Sequence, residues 1–257
     1  MHSRNFIQLL PKKVRHPSIL DELSSTSTID DTDEDLYDLN QYANSYKPML
    51  QHLLTIQKPI SLSKSTVTNT NRLSLVNWTL HFTAKAMLAE ATFFHAVRIF
   101  DSYLSSNPNL AFKNAFTLMV SCLILSCKYN ETYIELAHLM FTLTIETSVQ
   151  EKEIFAMEIR ILKSLDYSIS MPTCLEFLGL FSEILSVRSE VREKCIWEAK
   201  RCVHSSVLSE MEVGLFASAV FSMYCSVEDL MLITPYSRKQ INEAVIIVRK
   251  EIDEMEA

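Results

Sequence analysis

Lys128 is the residue whose type and position most clearly suggest a specific role. It lies near the end of the stretch 115–131, which is apolar on almost every face of a helix before this charge is reached. Such a helix belongs in the middle of a core, and at about 13 uncharged residues it is too short to span a bilayer, which needs about 20. A lysine there can donate three hydrogen bonds. We therefore expect the central helix of a bundle, with one amine emerging at its end.

The side chains that most often catalyse reactions show no catalytic pattern. The chain has no His-Glu-x-x-His, no phosphate loop, no glycine-rich nucleotide fingerprint and no Gly-x-Ser-x-Gly. We therefore predict a protein that is not an enzyme and that uses no metal and no cofactor. Five histidines are each more typical of the surface, or of a core position where the ring makes its hydrogen bonds, than of a catalytic site: His52, His81, His95, His138 and His204.

The cysteines indicate a reducing compartment. None of the six belongs to a Cys-x-x-Cys motif, and most lie in apolar helical pattern, so we expect buried free thiols rather than a zinc site. No hydrophobic signal run is found near the N-terminus, which favours the nucleus, the cytoplasm or both.

Composition predicts the fold class. Only 2 of the 257 residues are glycine and 7 are proline, far below the usual ~7% and ~5%. Because sheets and tight turns depend on glycine, we predict an all-α protein. A net charge of −7 argues against a nucleic-acid partner, which would require a basic stripe.

The order of the predicted helices suggests an internal duplication. Two successive five-helix units follow an N-terminal helix, and the third helix of each unit is nearly all apolar, at 115–131 and 213–226. The predicted organisation is a polar, acidic, disordered tail at 1–33, an N-terminal helix at 34–60, a first repeat at 61–167 and a second repeat at 168–257.

Local signals predict where several helices begin and break. Pro48 predicts a break or offset in the N-terminal helix. Ser148, with Glu151 three residues later, predicts the capping box that opens the fifth helix. The stretch 189–208 is predicted to be one helix.

Five short motifs, in the right order, resemble those of the cyclin family, and the helix at 35–46 resembles the A/B-type subgroup. The family strings are MRAILVDW, DRFLS, LLASKYEE, MExxILxxL and an opening PT…FL of the second repeat. The matching segments are 71–78 (NRLSLVNW), 101–105 (DSYLS), 123–131 (LILSCKYNE), 157–165 (MEIRILKSL) and 172–178 (PTCLEFL).

The resemblance implies two consecutive cyclin-fold repeats and a role for Lys128. Cyclins bind a protein kinase and push its C-helix into the active position, and residues corresponding to Lys128 and Glu158 form the polar centre of that contact. The other implied kinase-interface residues, most of them an apolar ring, are Leu125, Tyr129, Glu131, Leu162, Tyr167 and Ile169. A charged centre inside a desolvated ring is a hot-spot arrangement, in which truncation costs about 2–4 kcal/mol. The alternative is an ordinary surface pair that contributes only ~0–1 kcal/mol.

The resemblance also implies a structural residue and a degenerate docking groove. Arg72 is expected to form an internal salt bridge. Many cyclins recruit substrates that carry an Arg-x-Leu sequence, but here Asn71 and Ser74 replace large apolar residues, and His81 replaces an acid. We therefore expect weak docking. The groove positions are Asn71, Ser74, Leu75, Trp78, His81, Ala115 and Phe116.

The implied function is the activating, non-catalytic subunit of a cyclin-dependent Ser/Thr protein kinase, and the implied setting is cell-cycle control. Kinase substrates or inhibitors form a second class of partner, and neither nucleic acid nor a membrane is expected. The alternative is a cyclin-fold scaffold or transcription-related adaptor, which would favour a basic DNA-facing surface that this acidic chain does not suggest.

Overall fold

The structure is a computed structural model that describes residues 33–133 and 135–256. The chain divides into two units, residues 1–39 and 40–257. Of the first unit only the helical backbone from residue 33 onward is described, so the predicted tail 1–33 lies, except for its last residue, outside the described residues. Within the described ranges the regular structure is entirely helical, as the composition predicted.

An N-terminal helix and five further helices account for the first half of the fold. The N-terminal helix, α1, spans Asp33–Ile56. A single 3₁₀ turn, Phe112–Asn114, leads into the central helix of the repeat. The helices of the repeat are α2 (Asn69–Lys85), α3 (Glu90–Ser106), α4 (Ala115–Asn130), α5 (Leu136–Thr147) and α6 (Glu151–Ser164).

The second repeat begins at a capping box. The Thr173 backbone N–H donates to Glu176 Oε2 at 2.7 Å, which gives the Pro-Thr motif of the sequence a physical role as a helix start. One short extra helix, α9, follows the second helix of this repeat. The helices are α7 (Cys174–Ile184), α8 (Ser189–Cys202), α9 (Ser206–Glu210), α10 (Val213–Ser222), α11 (Val227–Ile233) and α12 (Arg238–Glu256).

Helix α4 is the centre of the first repeat. Every side chain from Leu118 to Cys127 is buried, and the hydroxyl of Ser121 is satisfied because it donates to Thr117 O at 2.8 Å. Helix α10 has the corresponding place in the second repeat, with all side chains from Phe216 to Phe221 buried. The apolar pattern of both stretches therefore predicted their burial correctly.

The end of helix α1 packs against the second repeat. The side chain of Gln57 donates to the hydroxyl of Tyr236 at 3.0 Å and accepts from the backbone N–H of Gly214 at 3.0 Å. A Cβ atom on Gly214 would lie 2.8 Å from that tyrosine hydroxyl. The glycine therefore permits a close approach between α10 and its neighbours.

Two local predictions need correction. Of the break or offset expected at Pro48, the break is wrong: helix α1 continues through the proline, and the burial of Leu50 just beyond it helps to offset the backbone donor that the proline removes. Ser148 does not open α6: it ends α5 with a left-handed backbone (φ 59°). The N-cap is Gln150, whose N–H donates to Glu153 Oε2 at 3.0 Å.

The predicted single helix over 189–208 is interrupted. Helix α8 ends at Cys202, and Ser205 opens α9 by accepting from the backbone N–H of Leu208 at 3.2 Å. The carbonyls of Val203 and His204, freed at this turn, accept hydrogen bonds from Arg72 instead. Arg72 therefore satisfies the backbone carbonyls at this interruption of the helix, and the local sequence pattern could not reveal that long-range contact.

Candidate functional site

Helices α4 and α6 bring Lys128 and Glu158 together. The two helices pack side by side, and the hydroxyl of Ser121 on α4 also lies 3.3 Å from the carbonyl of Ile154 on α6. Lys128 is in the last turn of α4, and Glu158 is in the middle of α6. The pair is thus positioned by the most buried helix of the repeat and by its direct neighbour.

The ammonium of Lys128 contacts both oxygens of the Glu158 carboxylate. The Nζ–Oε1 distance is 2.7 Å and the Nζ–Oε2 distance is 2.9 Å. The lysine side chain is 37% exposed, whereas the glutamate side chain is 7% exposed. The acid therefore lies below the surface and the amine lies over it, facing outward.

This arrangement leaves the amine able to contact another molecule. A nearly buried carboxylate needs a nearby positive charge, so Glu158 holds Lys128 in place. An ammonium has three donors, and no further acceptor contacts Nζ within the described ranges. At least one donor can therefore be offered to a carbonyl of a partner.

Exposed apolar side chains surround the pair. Phe155, Ile159, Tyr129 and Tyr167 are all exposed, and the Lys128 Nζ lies 5.6 Å from the centre of the Phe155 ring, a cation–π distance. Of the expected ring, Leu162 and Ile169 are half-buried. The surface is thus a charged centre with an apolar surround.

Phe155 and Ile159 were not predicted as part of this surface. They lie three residues before and one residue after Glu158, on the side of α6 away from its buried face of Ile154, Met157 and Ile161. The available signal was their spacing: two large apolar residues four apart, outside the core-facing stripe of an otherwise charged helix.

Two of the expected interface residues make contacts within the chain. Leu125 is 5% exposed and packs in the core, because it lies within the fully buried run of α4. Glu131 Oε1 accepts from the backbone N–H of Ala89 and from the hydroxyl of Thr92, both at 2.6 Å, and so stabilises the start of α3. Their contact with a kinase stays a prediction.

The connection between the repeats carries two of the expected interface residues, Tyr167 and Ile169. Asp166 and Tyr167 both have left-handed backbone conformations, with φ of 50° and 58°. Such conformations in non-glycine residues cost of order 1–3 kcal/mol each and persist only where the surroundings hold them. The position of this connection is therefore imposed by its contacts.

Arg72 forms the internal salt bridge expected of it and extends further. Its guanidinium pairs with Asp101, the acid of the second motif, and it also donates to the hydroxyl of Ser209 at 2.6 Å in addition to the two carbonyls at the α8–α9 turn. With 2% of Arg72 exposed, this network lies inside the junction of the two repeats.

The groove positions share one region but offer little apolar surface. Trp78 packs on the rings of Phe82 and Phe116, with centroids 5.4 and 5.0 Å apart, and Leu75 and Ala115 are buried. The two exposed positions, Ser74 and His81, are polar and hydrogen-bond within their own helix, while Asn71, Trp78 and Phe116 are half-buried.

No group of three or more histidine, cysteine or acidic side chains able to hold a metal occurs in the described part of the chain. No helix within that part is both long and apolar enough to cross a membrane.

The six cysteines are free thiols, and burial raises the pKa of Cys195 and Cys202 to about 12.

Fold and site define a duplicated all-α protein that exposes an acid-held lysine within an apolar surface. The family model for the N-terminal domain of cyclins matches residues 43–170. The chain belongs to the cyclin family.

Similar proteins agree with this assignment. The chain is 28% identical over 214 residues to the G2/mitotic-specific cyclin-B1 of Anguilla japonica, a match that covers 80% of this chain and 52% of the relative. It is 24% identical over 195 residues to cyclin-B1-3 of Oryza sativa subsp. japonica, covering 75% and 39%. The chain thus spans about half the length, or less, of these relatives.

Solved structures share the fold. The X-ray structure of a viral cyclin from herpesvirus saimiri superposes with a TM-score of 0.63 at 14% identity, covering 82% of this chain and 96% of that one. A chain of the yeast RNA Pol II CTD kinase CTDK-1 complex gives a TM-score of 0.55 at 18% identity, covering 70% and 64%. The predicted fold of two consecutive cyclin repeats after an N-terminal helix is confirmed.

Proposed function

We propose that this chain is the activating regulatory subunit of a cyclin-dependent Ser/Thr protein kinase, which it binds through the surface around Lys128 and Glu158. The observation that carries the proposal is the geometry of this pair: an amine held by an almost buried acid and surrounded by exposed Phe155, Ile159 and Tyr129. A protein of the cyclin family with such a surface is suited to bind an amphipathic element of a partner. Carbonyls of that element would accept hydrogen bonds from the amine, and its apolar side chains would pack against the exposed apolar residues around the pair.

The proposed mechanism is a population shift. A kinase whose C-helix is displaced lacks its catalytic Lys–Glu pair, and a partner that binds only the inward position draws the equilibrium toward it. Moving that equilibrium from 1:99 to 99:1 needs about 5.5 kcal/mol of differential affinity. A desolvated charged hot spot that contributes about 2–4 kcal/mol, together with the apolar surround, is of that order.

The proposed setting is cell-cycle control. Its support is the names of the relatives, which include G2/mitotic-specific cyclins. The scaffold or transcription-adaptor alternative has less support, because a net charge of −7 does not suit a surface that faces nucleic acid.

Kinase activation tests the proposal. Purified cyclin-dependent kinases, each assayed on a Ser/Thr peptide with and without this chain, should include at least one whose activity rises at least tenfold. The double variant Lys128→Ala/Glu158→Ala should lose most of that rise. A matched control is Lys239→Ala/Glu243→Ala, which removes an exposed pair at 3.8 Å on α12. Activation by the Lys128/Glu158 variant equal to wild type would contradict the proposed site.

A further inference from the structure

His95 on α3 is a buried histidine that the proposed contact does not itself use. It is 3% exposed. Its Nε2 lies 2.6 Å from the carbonyl oxygen of Ile169, and its Nδ1 lies 3.1 Å from the side-chain nitrogen of Asn130. Because a carbonyl can only accept, Nε2 carries the proton and Nδ1 accepts from Asn130. The amide of Asn130 also donates to Ser126 O at 3.0 Å, which fixes its orientation.

The carbonyl that His95 binds belongs to the connection between the two repeats. The same oxygen accepts from the backbone N–H of Met171 at 2.8 Å, so the chain makes a tight three-residue turn centred on Ser170. Just before it lie Asp166 and Tyr167, whose left-handed conformations end helix α6 and are closed locally by the hydrogen bond from the Tyr167 N–H to Leu162 O at 2.7 Å. The hydrogen bond from the buried His95 ring attaches the chain just beyond this turn to the first repeat.

A second contact joins the same ring to Tyr129. The two ring centroids are 4.8 Å apart, and the Tyr129 hydroxyl donates to Ser170 Oγ at 2.9 Å. One imidazole therefore supports both the last turn of α4, beside Lys128, and the connection that carries Tyr167 and Ile169.

We propose that His95 is a positioning residue for the kinase-binding surface. It touches no partner. It holds Tyr129, and through the Ile169 carbonyl the segment 165–171, in the place where they flank Lys128 and Glu158. The effect of His95 on kinase binding rests on the proposed function, whereas the anchoring of the connection by His95 is a property of the isolated chain.

Variants of His95 separate anchoring from general damage. In His95→Gln the side-chain amide nitrogen can take the place of Nε2 and donate to the Ile169 carbonyl. In His95→Asn the shorter side chain can replace only Nδ1. His204→Asn is the matched control, since His204 is a partly buried histidine of the second repeat whose Nδ1 bonds Arg201 O. Asn130→Ala, which removes the donor to Nδ1 and leaves the ring, is a second, milder variant.

Amide hydrogen exchange on the full chain, without a kinase, is the first measurement. We expect His95→Asn to speed exchange of the hydrogen-bonded amides of 165–171 about tenfold or more. Asn130→Ala should speed it less, and His95→Gln and His204→Asn should match wild type there. Unchanged exchange in both His95→Asn and Asn130→Ala, or equal loss in His95→Gln and His95→Asn, would overturn the anchoring.

Affinity for a kinase that the wild-type chain activates is the second measurement. His95→Asn should raise the dissociation constant for the kinase about tenfold, and His95→Gln should bind the kinase about as tightly as the wild-type chain. Faster exchange with unchanged affinity would overturn the positioning role while leaving the proposed function intact. If the wild-type chain binds none of the purified kinases, the proposed function fails, and with it the role of His95 in binding, while the exchange result still decides whether His95 anchors the connection.

Discussion

The guanidinium of Arg72 and the carboxylate of Asp101 form two parallel hydrogen bonds within the junction of the two repeats. Nε lies 2.8 Å from Oδ1 and Nη2 lies 2.7 Å from Oδ2. The same guanidinium binds the carbonyls of Val203 and His204, so one side chain joins α2, α3 and the α8–α9 turn. The relative placement of the repeats therefore depends on a buried ion pair.

Removal of one member of this pair should strongly destabilise the fold. Asp101→Ala leaves the buried Arg72 without its counter-ion, and we expect the free energy of unfolding to fall by about 3–5 kcal/mol. Urea unfolding followed by circular dichroism measures the change. As a control, Glu254→Ala disrupts an exposed ion pair with Lys250 and should change stability by less than about 1 kcal/mol. Equal effects of the two substitutions would show that the buried network contributes little.

The only two glycines of the chain should respond oppositely to alanine. A Cβ on Gly214 would lie 2.8 Å from the Tyr236 hydroxyl and 3.0 Å from a Leu54 methyl, so Gly214→Ala should cost about 1–3 kcal/mol. The nearest atom to a Cβ on Gly179 is at 3.6 Å. Because glycine in a helix interior is less stable than alanine, Gly179→Ala should be neutral or gain up to about 1 kcal/mol. Thermal unfolding of both variants checks this, and a stabilising Gly214→Ala would contradict the packing described.

Stability should fall as the solution becomes acidic, in part through His95. Burial lowers the pKa of His95 in the folded chain below its ordinary value of 6.5, although the hydrogen bond to Ile169 and the charge of Glu176 oppose the shift. Below about pH 6.5 the unfolded chain takes up a proton that the folded chain resists, so the free energy of unfolding decreases by up to about 1.4 kcal/mol per pH unit until the folded pKa is reached.

Urea unfolding at several pH values between 7.5 and 5.5 measures this contribution. His95→Gln should show a shallower decrease than wild type over that range. Burial also lowers the pKa of His204, but that residue is present in both chains, so the difference between them isolates His95. Identical slopes would contradict the buried, neutral state of its ring.

Peptides with an Arg-x-Leu sequence should bind weakly. The exposed groove positions, Ser74 and His81, are polar, and His81 provides no negative charge for the arginine of the peptide. We expect a dissociation constant weaker than micromolar by fluorescence titration, and a tighter complex with His81→Glu, which supplies an acid. Micromolar or tighter binding by the wild-type chain would refute the prediction.

The buried framework was predictable from the sequence because it depends on hydrophobic pattern. The stretches around Leu123 and Val220 are apolar on all sides, and both lie at the centre of a repeat. Local helix starts were less predictable. Ser148 and Gln150 are both possible caps two residues apart, and the left-handed turn at Ser148, which the serine pattern does not reveal, decides between them.

The site was predictable only in part, because its two helices are distant in sequence. The pairing of Lys128 with Glu158 came from resemblance to a family, since the spacing alone does not bring residues 30 positions apart together. Phe155 and Ile159 could have been found from their place outside the core stripe of α6. The contact between His95 and the Ile169 carbonyl could not, because it joins residues 74 positions apart and depends on two left-handed residues.

The most direct test uses isothermal titration calorimetry with a kinase that this chain activates, and measures how tightly that kinase binds four chains. The four are the wild type, Lys128→Ala, Glu158→Ala and the double variant. We expect each single substitution to weaken binding by about 2–4 kcal/mol. The double variant should lose less than the sum, because the two side chains act as one unit. Lys239→Ala/Glu243→Ala should bind like wild type. If all four chains bind the kinase with the same affinity, the surface around Lys128 and Glu158 is not the kinase-binding site.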